Sequence, residues 1–223
     1  MPRLIFDIET VGVDFETLDT ASQEYLLKYA KSPEDEEKLK LGTSFSPLTG
    51  EIVAIGILNP DTDRGAVYFQ APDGDQTKFE AENVQYFPAG EKEILENFWD
   101  IMRHYSQFVT FNGRMFDCPF IMTRSAILKV KPSKNLMQNR YYDDHIDLYD
   151  RLTFYGAARH RMNLHMLCQT FGIKSPKSEG ITGDDVSRLF KEKKYQEIAQ
   201  YCFGDLMATK ELLAYWEKYI NVK

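Results

Sequence analysis

Two carboxylates interrupt an apolar segment near the start of the chain. The stretch LIFDIET, residues 4–10, has the composition of a buried strand, yet it contains Asp7 and Glu9. Alternate residues of a strand point to the same face, so both carboxylates are expected to face one site. Burying an ionised carboxylate without a partner is costly, and this pair therefore requires a positive charge nearby.

Two further acidic residues with apolar neighbours occur far along the chain. Asp117 lies in TFNGRMFDCPF, after a predicted strand and turn, and Asp205 lies in YCFGDLMATKELL of the last predicted helix. Tyr201 precedes Asp205 by four residues, which places both side chains on one helix face. Taken singly, Asp117 is typical of a helix cap, Asp205 of a solvated helix residue and Tyr201 of a core.

Hard divalent cations explain the four carboxylates together. Mg²⁺ and Mn²⁺ take oxygen ligands, and two such ions about 4 Å apart can clamp the attacking and leaving oxygens of a phosphodiester. The sequence therefore predicts a site for two divalent cations, Mg²⁺ or Mn²⁺, whose charge neutralises the carboxylates. The predicted metal ligands are Asp7, Glu9, Asp117 and Asp205.

The composition excludes several other classes of protein. The 223 residues, 43% of them hydrophobic, suit one sizeable domain. The three cysteines are odd in number and scattered, which favours free core thiols over disulfides or a zinc site. No signal peptide is recognisable, and no apolar run approaches the roughly 20 residues of a membrane span. We therefore expect a cytoplasmic protein that does not contact membranes.

The net charge of −7 argues mildly against a nucleic-acid-binding protein, but the charge is unevenly distributed. Residues 14–40 are rich in acids, whereas residues 124–161 carry eight lysines and arginines. Bound cations would also offset part of the acidic charge. A nucleic-acid partner is therefore compatible with the composition.

The order of predicted elements indicates an α/β fold. Three opening strands with short turns favour antiparallel pairing, and later strands separated by helices favour parallel additions. This is the order of a ribonuclease H-like mixed sheet flanked by helices. We expect a single domain over residues 1–223, with an acidic helical insertion at about 14–45. The predicted strands are 3–10, 51–58, 65–70 and 108–111; the predicted helices are 20–31, 33–40, 91–105, 117–128, 163–171, 182–194 and 195–219, and 146–154 is a helix or a strand–helix junction.

Three motifs resemble those of the DEDD superfamily of 3′–5′ exonucleases, in the branch with a tyrosine in the third motif. FDIET matches the first motif, NGRMFD the second in its Asn-x-x-x-Phe-Asp form, and YCFGD the third in its Tyr-x-x-x-Asp form. The chain is similar to the proofreading exonuclease domain of family-B DNA polymerases. It is closer to stand-alone predicted exonucleases related to that domain, which TGEIVAIGI, HIDLYDRL and EGITGDDV also resemble. The acidic insertion departs from this pattern.

The resemblance implies catalytic roles for five residues. Asp7 would bridge two cations, and Glu9 and Asp205 would complete the site of the ion that holds the attacking water. Asp117 would help to hold the second ion. Tyr201 would orient the water, since an unperturbed tyrosine pKa of about 10 makes it a weak base at neutral pH. The reaction implied is hydrolysis of the 3′-terminal phosphodiester with release of nucleoside monophosphates.

Candidate substrate contacts follow from the same motifs. Thr10 and Asn112 match positions that face the terminal nucleotide in the resembling family. Phe116 and Met115 are candidates for stacking on a base, and core packing under the turn explains them equally well. Asp147 and Asp185 are candidates for a position behind the metal ligands or for contacts with the substrate backbone. The candidate phosphate contacts, for which a solvated basic loop is an equal alternative, are Arg114, Arg140, Arg159 and Arg161.

Two other functions share these motifs. An exoribonuclease uses the same chemistry, and the tyrosine form occurs among enzymes that act on either nucleic acid; the flanking segments favour DNA. A catalytically silent nucleic-acid-binding scaffold could have the same fold, although the complete set of carboxylates argues against lost activity. The predicted partner is in every case a nucleic acid, with a free 3′ end where it is a substrate.

Overall fold

The computed structural model describes residues 2–74, 76–81, 83–158, 162–175 and 182–222. They form a seven-stranded mixed sheet with helices on both faces. The strands are β1 (Arg3–Gly12), β2 (Gly50–Asn59), β3 (Arg64–Phe69), β4 (Phe79–Ala81), β5 (Val84–Pro88), β6 (Gln107–Thr110) and β7 (His145–Asp147). The helices are α1 (Thr20–Leu27), α2 (Pro33–Leu41), α3 (Glu91–Met102), α4 (Asp117–Ile127), α5 (Leu148–Leu152), α6 (Leu164–Phe171), α7 (Val186–Lys191) and α8 (Tyr195–Tyr219).

The sheet has the strand order β4-β5-β3-β2-β1-β6-β7. β1 and β2 pair antiparallel, as do β2 and β3, which joins the opening strands as hairpins. β6 lies parallel to β1, and β7 lies parallel to β6. The predicted ribonuclease H-like mixed sheet is thereby confirmed.

Alternation along β1 sends its side chains into two separate cores. Phe6 and Ile8 pack with residues of α3 and α4 on one face of the sheet. Ile5 packs on the other face with residues of α5, α6, α7 and α8. Asp7 and Glu9, which alternate with Phe6 and Ile8, therefore point toward the face that α8 covers.

The strands β4 and β5 were not predicted from the sequence. β4 has only three residues, too few to show a period of two, and it pairs antiparallel with β5. β5 lies parallel to β3, so its position depends on a tertiary pairing. The segment 146–154 forms the strand–helix junction of β7 and α5.

The helices with strong apolar periodicity or clear caps lie where the sequence placed them, within a few residues. α8 begins and ends at the predicted positions 195 and 219. Gly172 follows α6 in the left-handed conformation, with φ of 70°, as expected of a C-terminal glycine. α1 ends at Leu27, earlier than predicted, and Thr182 caps a 3₁₀ turn that leads into α7.

The segment predicted as an acidic insertion contains α1 and α2, neither of which has a buried residue. It ends in a 3₁₀ turn, Gly42–Phe45, that leads back to the sheet. The three cysteines are buried and free, which confirms that prediction. None of the described helices is both long and apolar enough to cross a membrane.

Candidate active site

The site forms where β1 extends beyond its parallel neighbour. Ile5 pairs with Val109, and β6 ends one residue later, whereas β1 continues to Gly12. Ligand sites in open α/β sheets occur at the carboxyl ends of parallel strands. The backbone N–H of Ile8 donates to Oδ1 of Asp117 at 3.1 Å, which brings the start of α4 against the extended part of β1.

Asp117 is therefore held by a contact that its sequence position does not reveal. The alternative that it caps its own helix is not what the structure shows, because the N-cap residue of α4 is Phe116. Asp117 is buried, and its carboxylate binds the backbone of β1 between Asp7 and Glu9. A single hydrogen bond thus links the first and second motifs.

A glycine on β2 brings α8 onto the sheet at the same place. Gly56 pairs with Asp7 across the strands. A Cβ at Gly56 would lie 2.7 Å from Cδ1 of Leu206 and 2.9 Å from Sγ of Cys202. Any side chain at this position would push α8 outward. The Cys202 thiol donates to the backbone oxygen of Asp7 at 3.7 Å, which fixes the third motif beside the first.

The predicted catalytic carboxylates lie close enough together for their charges to interact. Burial raises the pKa of Asp7 well above its usual value, and the charges of Asp117, Asp205 and Glu9 raise it further. Burial likewise raises the pKa of Glu9, with contributions from Asp205 and Asp117. Burial raises the pKa of Asp117 to about 7, and Asp205 adds to this effect. The four carboxylates therefore form one cluster, in which Asp7 interacts with the other three.

Tyr201 lies on the same face of α8 as Asp205, as the four-residue spacing predicted. It is buried, and its hydroxyl donates to the Asp205 carboxylate. Burial raises the pKa of Tyr201 above its usual value, and the charges of Asp205, Glu9 and Asp7 act in the same direction. The phenol therefore stays protonated at neutral pH and serves as a hydrogen-bond donor.

The donor set suits a hard divalent cation. Ligand atoms of Asp7, Glu9 and Cys202 lie within 4.8 Å of one another. Burial raises the pKa of the Cys202 thiol, as do the neighbouring carboxylates, so the sulfur is protonated and the oxygens are the better ligands. In the part of the chain that the structure describes, no lysine or arginine pairs with Asp7 or Glu9. Mg²⁺ or Mn²⁺ would stabilise Asp7 and Glu9 in this arrangement, because the two carboxylates lie side by side and no described lysine or arginine pairs with either.

Asp147 shapes the loop that carries the second motif. Its carboxylate accepts the backbone N–H of Asn112 at 3.0 Å and that of Arg114 at 2.9 Å. It also caps α5 by accepting from the N–H groups of Tyr149 and Asp150. Asn112 itself has a positive φ of 61°, which asparagine tolerates better than most residues. Asp147 is thus a positioning residue that fixes the turn before Asp117.

Arg114 and Arg140 are turned toward protein partners. Nη1 of Arg114 donates to the Gln138 carbonyl at 2.8 Å, and its Nη2 lies 3.3 Å from Nδ1 of His145. Arg140 forms an ion pair with the buried Asp150, whose Oδ2 also lies 3.7 Å from Nε of Arg114. A phosphate would therefore compete with these protein partners for both guanidinium groups.

The remaining predicted substrate residues lie at different depths. The Thr10 hydroxyl donates to the Ser44 carbonyl at 2.8 Å, so its side chain anchors the end of the insertion. Phe116 packs partly against the core beside α3 and α4, with an edge toward Phe45. Arg159 and Arg161 lie outside the described residues.

Several residues around the site were not recognised in the sequence. Gly56 interrupts the apolar strand EIVAIGIL, and a glycine within a strand is a signal of close backbone approach. Cys202 was read only as a core thiol. The pKa of His145 is lowered to about 3 by burial and by Arg114 and Arg151, so this imidazole is neutral. Nothing in the sequence distinguishes His145 from an exposed loop histidine.

Residues 51–217 match a known protein family. They match the family described as predicted 3′–5′ exonuclease related to the exonuclease domain of PolB. The match covers most of the chain, and the protein belongs to this family. Asp117, Tyr201 and Asp205 lie within the matched residues, whereas Asp7 and Glu9 precede them. Asp7 and Glu9 are assigned to the cluster by the geometry of β1 and not by the family match.

Among solved structures, the chain is similar to the family B DNA polymerase from the hyperthermophilic archaeon Pyrobaculum calidifontis. The TM-score is 0.58 and the sequence identity 17%, over 96% of this chain and 24% of the polymerase chain. The chain therefore spans about a quarter of that protein, and the likeness shows a shared fold. No match was found among the curated proteins.

Proposed function

We propose that this protein is a divalent-cation-dependent 3′–5′ exonuclease that acts on DNA, with single strands preferred. The observation that carries the proposal is the cluster of four carboxylates from β1, α4 and α8, in which burial raises the pKa of Asp7 and the charges of Asp117, Asp205 and Glu9 raise it further. The family describes predicted 3′–5′ exonucleases, and its relation to a DNA polymerase domain favours DNA over RNA.

The proposed ligands of two Mg²⁺ or Mn²⁺ ions are Asp7, Glu9, Asp117 and Asp205. Bound there, such ions would stabilise charge on the phosphoryl oxygens and lower the pKa of water. Asp7 is suited to a shared position because it interacts with the other three carboxylates. Asp117 is held on β1 by the Ile8 N–H and so keeps its place when the carboxylates are charged.

Tyr201 is proposed to orient the attacking water. Its hydroxyl is protonated and has one hydrogen to donate, which it gives to Asp205, so its oxygen can accept a hydrogen bond from the water, or the hydroxyl can turn from Asp205 and donate to the water. An ionised tyrosine acting as base is disfavoured, because burial and then the surrounding carboxylates raise its pKa. The in-line attack would then release a nucleoside monophosphate from the 3′ end.

The test uses 5′-labelled single-stranded DNA and RNA of the same sequence, each with Mg²⁺, Mn²⁺ or EDTA. The expected result is a ladder that shortens by one nucleotide at a time with a cation and is absent with EDTA, with DNA degraded faster. The variant Asp7→Asn should abolish the ladder. Asp100→Asn, which changes an exposed carboxylate on α3, is the matched control and should retain it.

The outcomes separate the alternatives. Faster degradation of RNA would replace the DNA assignment with an exoribonuclease. Strand binding without hydrolysis under any cation would support the silent scaffold. Full activity in a correctly folded Asp7→Asn protein would contradict the assignment of the carboxylates.

A further inference from the structure

The acidic insertion ends in a turn that hydrogen-bonds to Thr10, the residue after Glu9, and that presents an aromatic ring. We infer that Phe45 stacks on a base of the single strand whose end lies at the cluster, an inference that rests on the proposed function. Phe45 closes the 3₁₀ turn Gly42–Phe45, and 65% of its surface is exposed. It lies in the acidic insertion, which departs from the pattern of the resembling family, and it precedes the residues matched to that family.

The turn is fastened to β1 within a few residues of Glu9. The Thr10 hydroxyl donates to the Ser44 carbonyl at 2.8 Å, and the Thr43 hydroxyl donates to the Val13 carbonyl at 2.9 Å. Gly12 permits this approach, since a Cβ there would lie 2.0 Å from Oγ1 of Thr43. The backbone that carries Phe45 is therefore held in place, although its ring is not buried.

The Phe45 ring adjoins the second motif. Its centroid lies 6.3 Å from that of Phe116, and the two planes meet at 65°. Phe116 directly precedes Asp117 in the chain. Met115, the next residue toward the N-terminus, is 75% exposed, and Leu48, which follows the turn, is 77% exposed. We call Phe45, Phe116, Met115 and Leu48 the apolar rim; Phe116 connects it to the second motif through its chain neighbour Asp117.

Unpaired bases are the occupant that this rim fits. Their planar faces stack on aromatic side chains regardless of sequence, whereas a paired duplex presents stacked bases that are not free to do so. The rim side chains Phe45, Phe116, Met115 and Leu48 carry no charge. The cations nearest in the chain, Lys38 and Lys40, lie in the last turn of α2, where Lys40 pairs with Glu16 at 3.5 Å, and the first turn of α2 carries Glu34, Asp35 and Glu36. Recognition through the base faces is therefore favoured over recognition through the backbone.

The test compares wild type, Phe45→Ala, Phe45→Leu and Phe45→Trp on a 5′-labelled single strand. Phe154→Ala changes another exposed phenylalanine and is the matched control. Each protein is also assayed on thymidine 5′-monophosphate p-nitrophenyl ester, which has no neighbouring base. A second set of strands carries one abasic residue at each of the last four positions in turn.

We expect Phe45→Ala to raise KM for the strand on the order of tenfold, the loss expected for one stacked base. Phe45→Trp should restore the wild-type KM and Phe45→Leu should not. Hydrolysis of the ester should be equal in all variants. One abasic position should raise the wild-type KM and leave the KM of Phe45→Ala unchanged, because the base and the ring form the same contact.

Two results would overturn the inference while leaving the nuclease in place. One is equal strand KM for wild type and Phe45→Ala; the other is a self-associating wild type that becomes monomeric in Phe45→Ala, which would make the rim a protein interface. A wild type that hydrolyses neither strand nor ester would instead overturn the proposed function, and the inference with it.

Discussion

Asp117→Asn is expected to stabilise the cation-free protein at pH 8 and to make no difference near pH 4. The carboxyl of Asp117 is buried, and burial with nearby negative charges raises its pKa from 3.8 to about 7. Between these values the folded protein binds a proton that the unfolded chain has released. Stability therefore falls as the pH rises through this range, and the loss is complete above pH 7.

The magnitude follows from the size of the pKa change. Each pKa unit corresponds to 1.36 kcal/mol, so ionised Asp117 destabilises the fold at pH 8 by on the order of 4 kcal/mol. Asparagine does not titrate, and its Oδ1 can still accept the N–H of Ile8. For a chain of this size, 4 kcal/mol corresponds to a melting-temperature difference of about 10 °C.

The assay is thermal unfolding of wild type and Asp117→Asn in EDTA, from pH 4 to pH 8. The melting temperature of the variant should rise steadily relative to that of the wild type as the pH increases across this range. Adding Mn²⁺ at pH 8 should reverse the order, since a cation that binds the folded carboxylates stabilises wild type more. Asp100→Asn should show neither effect. A difference that is equal at pH 4 and pH 8, or is absent at both, would refute the argument that Asp117 is buried among like charges.

Three further predictions concern residues that position the site. Tyr201→Phe should lower kcat about tenfold, the value of one hydrogen bond, and leave the pH–rate profile unchanged; a shifted profile would show that the phenol titrates. Gly56→Ala should lower the free energy of unfolding by about 1–3 kcal/mol by overpacking against α8, and it should also lower turnover. Gly183→Ala, which has open space around it, is the control and should change neither quantity. Urea unfolding and nuclease assays measure the two effects. Asp147→Ala should lower stability by about 2 kcal/mol and speed amide exchange of the 112–114 turn; unchanged exchange would contradict its positioning role.

The elements that the sequence predicted well are those with long periodic patterns. α8 was placed at 195–219 because 25 residues provide several turns of apolar spacing. β1 is predicted by the apolar composition of Leu4, Ile5, Phe6 and Ile8, although Asp7 and Glu9 interrupt it. The grouping of the carboxylates was also predicted, because burying acidic side chains in an apolar setting has few physical explanations. The roles of the individual residues remain predictions.

The features that the sequence did not predict depend on contacts between distant segments. β4 and β5 are short, and their positions follow from pairing with β3 and with each other. The hydrogen bond from Ile8 to Asp117 joins residues 109 positions apart. It depends on β1 extending beyond the end of β6. Gln138 and His145 set the direction of the Arg114 side chain, and the residues next to Arg114 in the sequence do not indicate these partners.

The capture of cations by the carboxylate cluster is tested most directly by anomalous diffraction from crystals grown with Mn²⁺. Two peaks about 4 Å apart are expected, both within coordination distance of Asp7, with Glu9, Asp117 and Asp205 completing the ligands. Asp7→Asn crystals should lose at least one of the peaks. Manganese bound only at other acidic residues, with none beside Asp7, would contradict the assignment of this cluster as the catalytic centre.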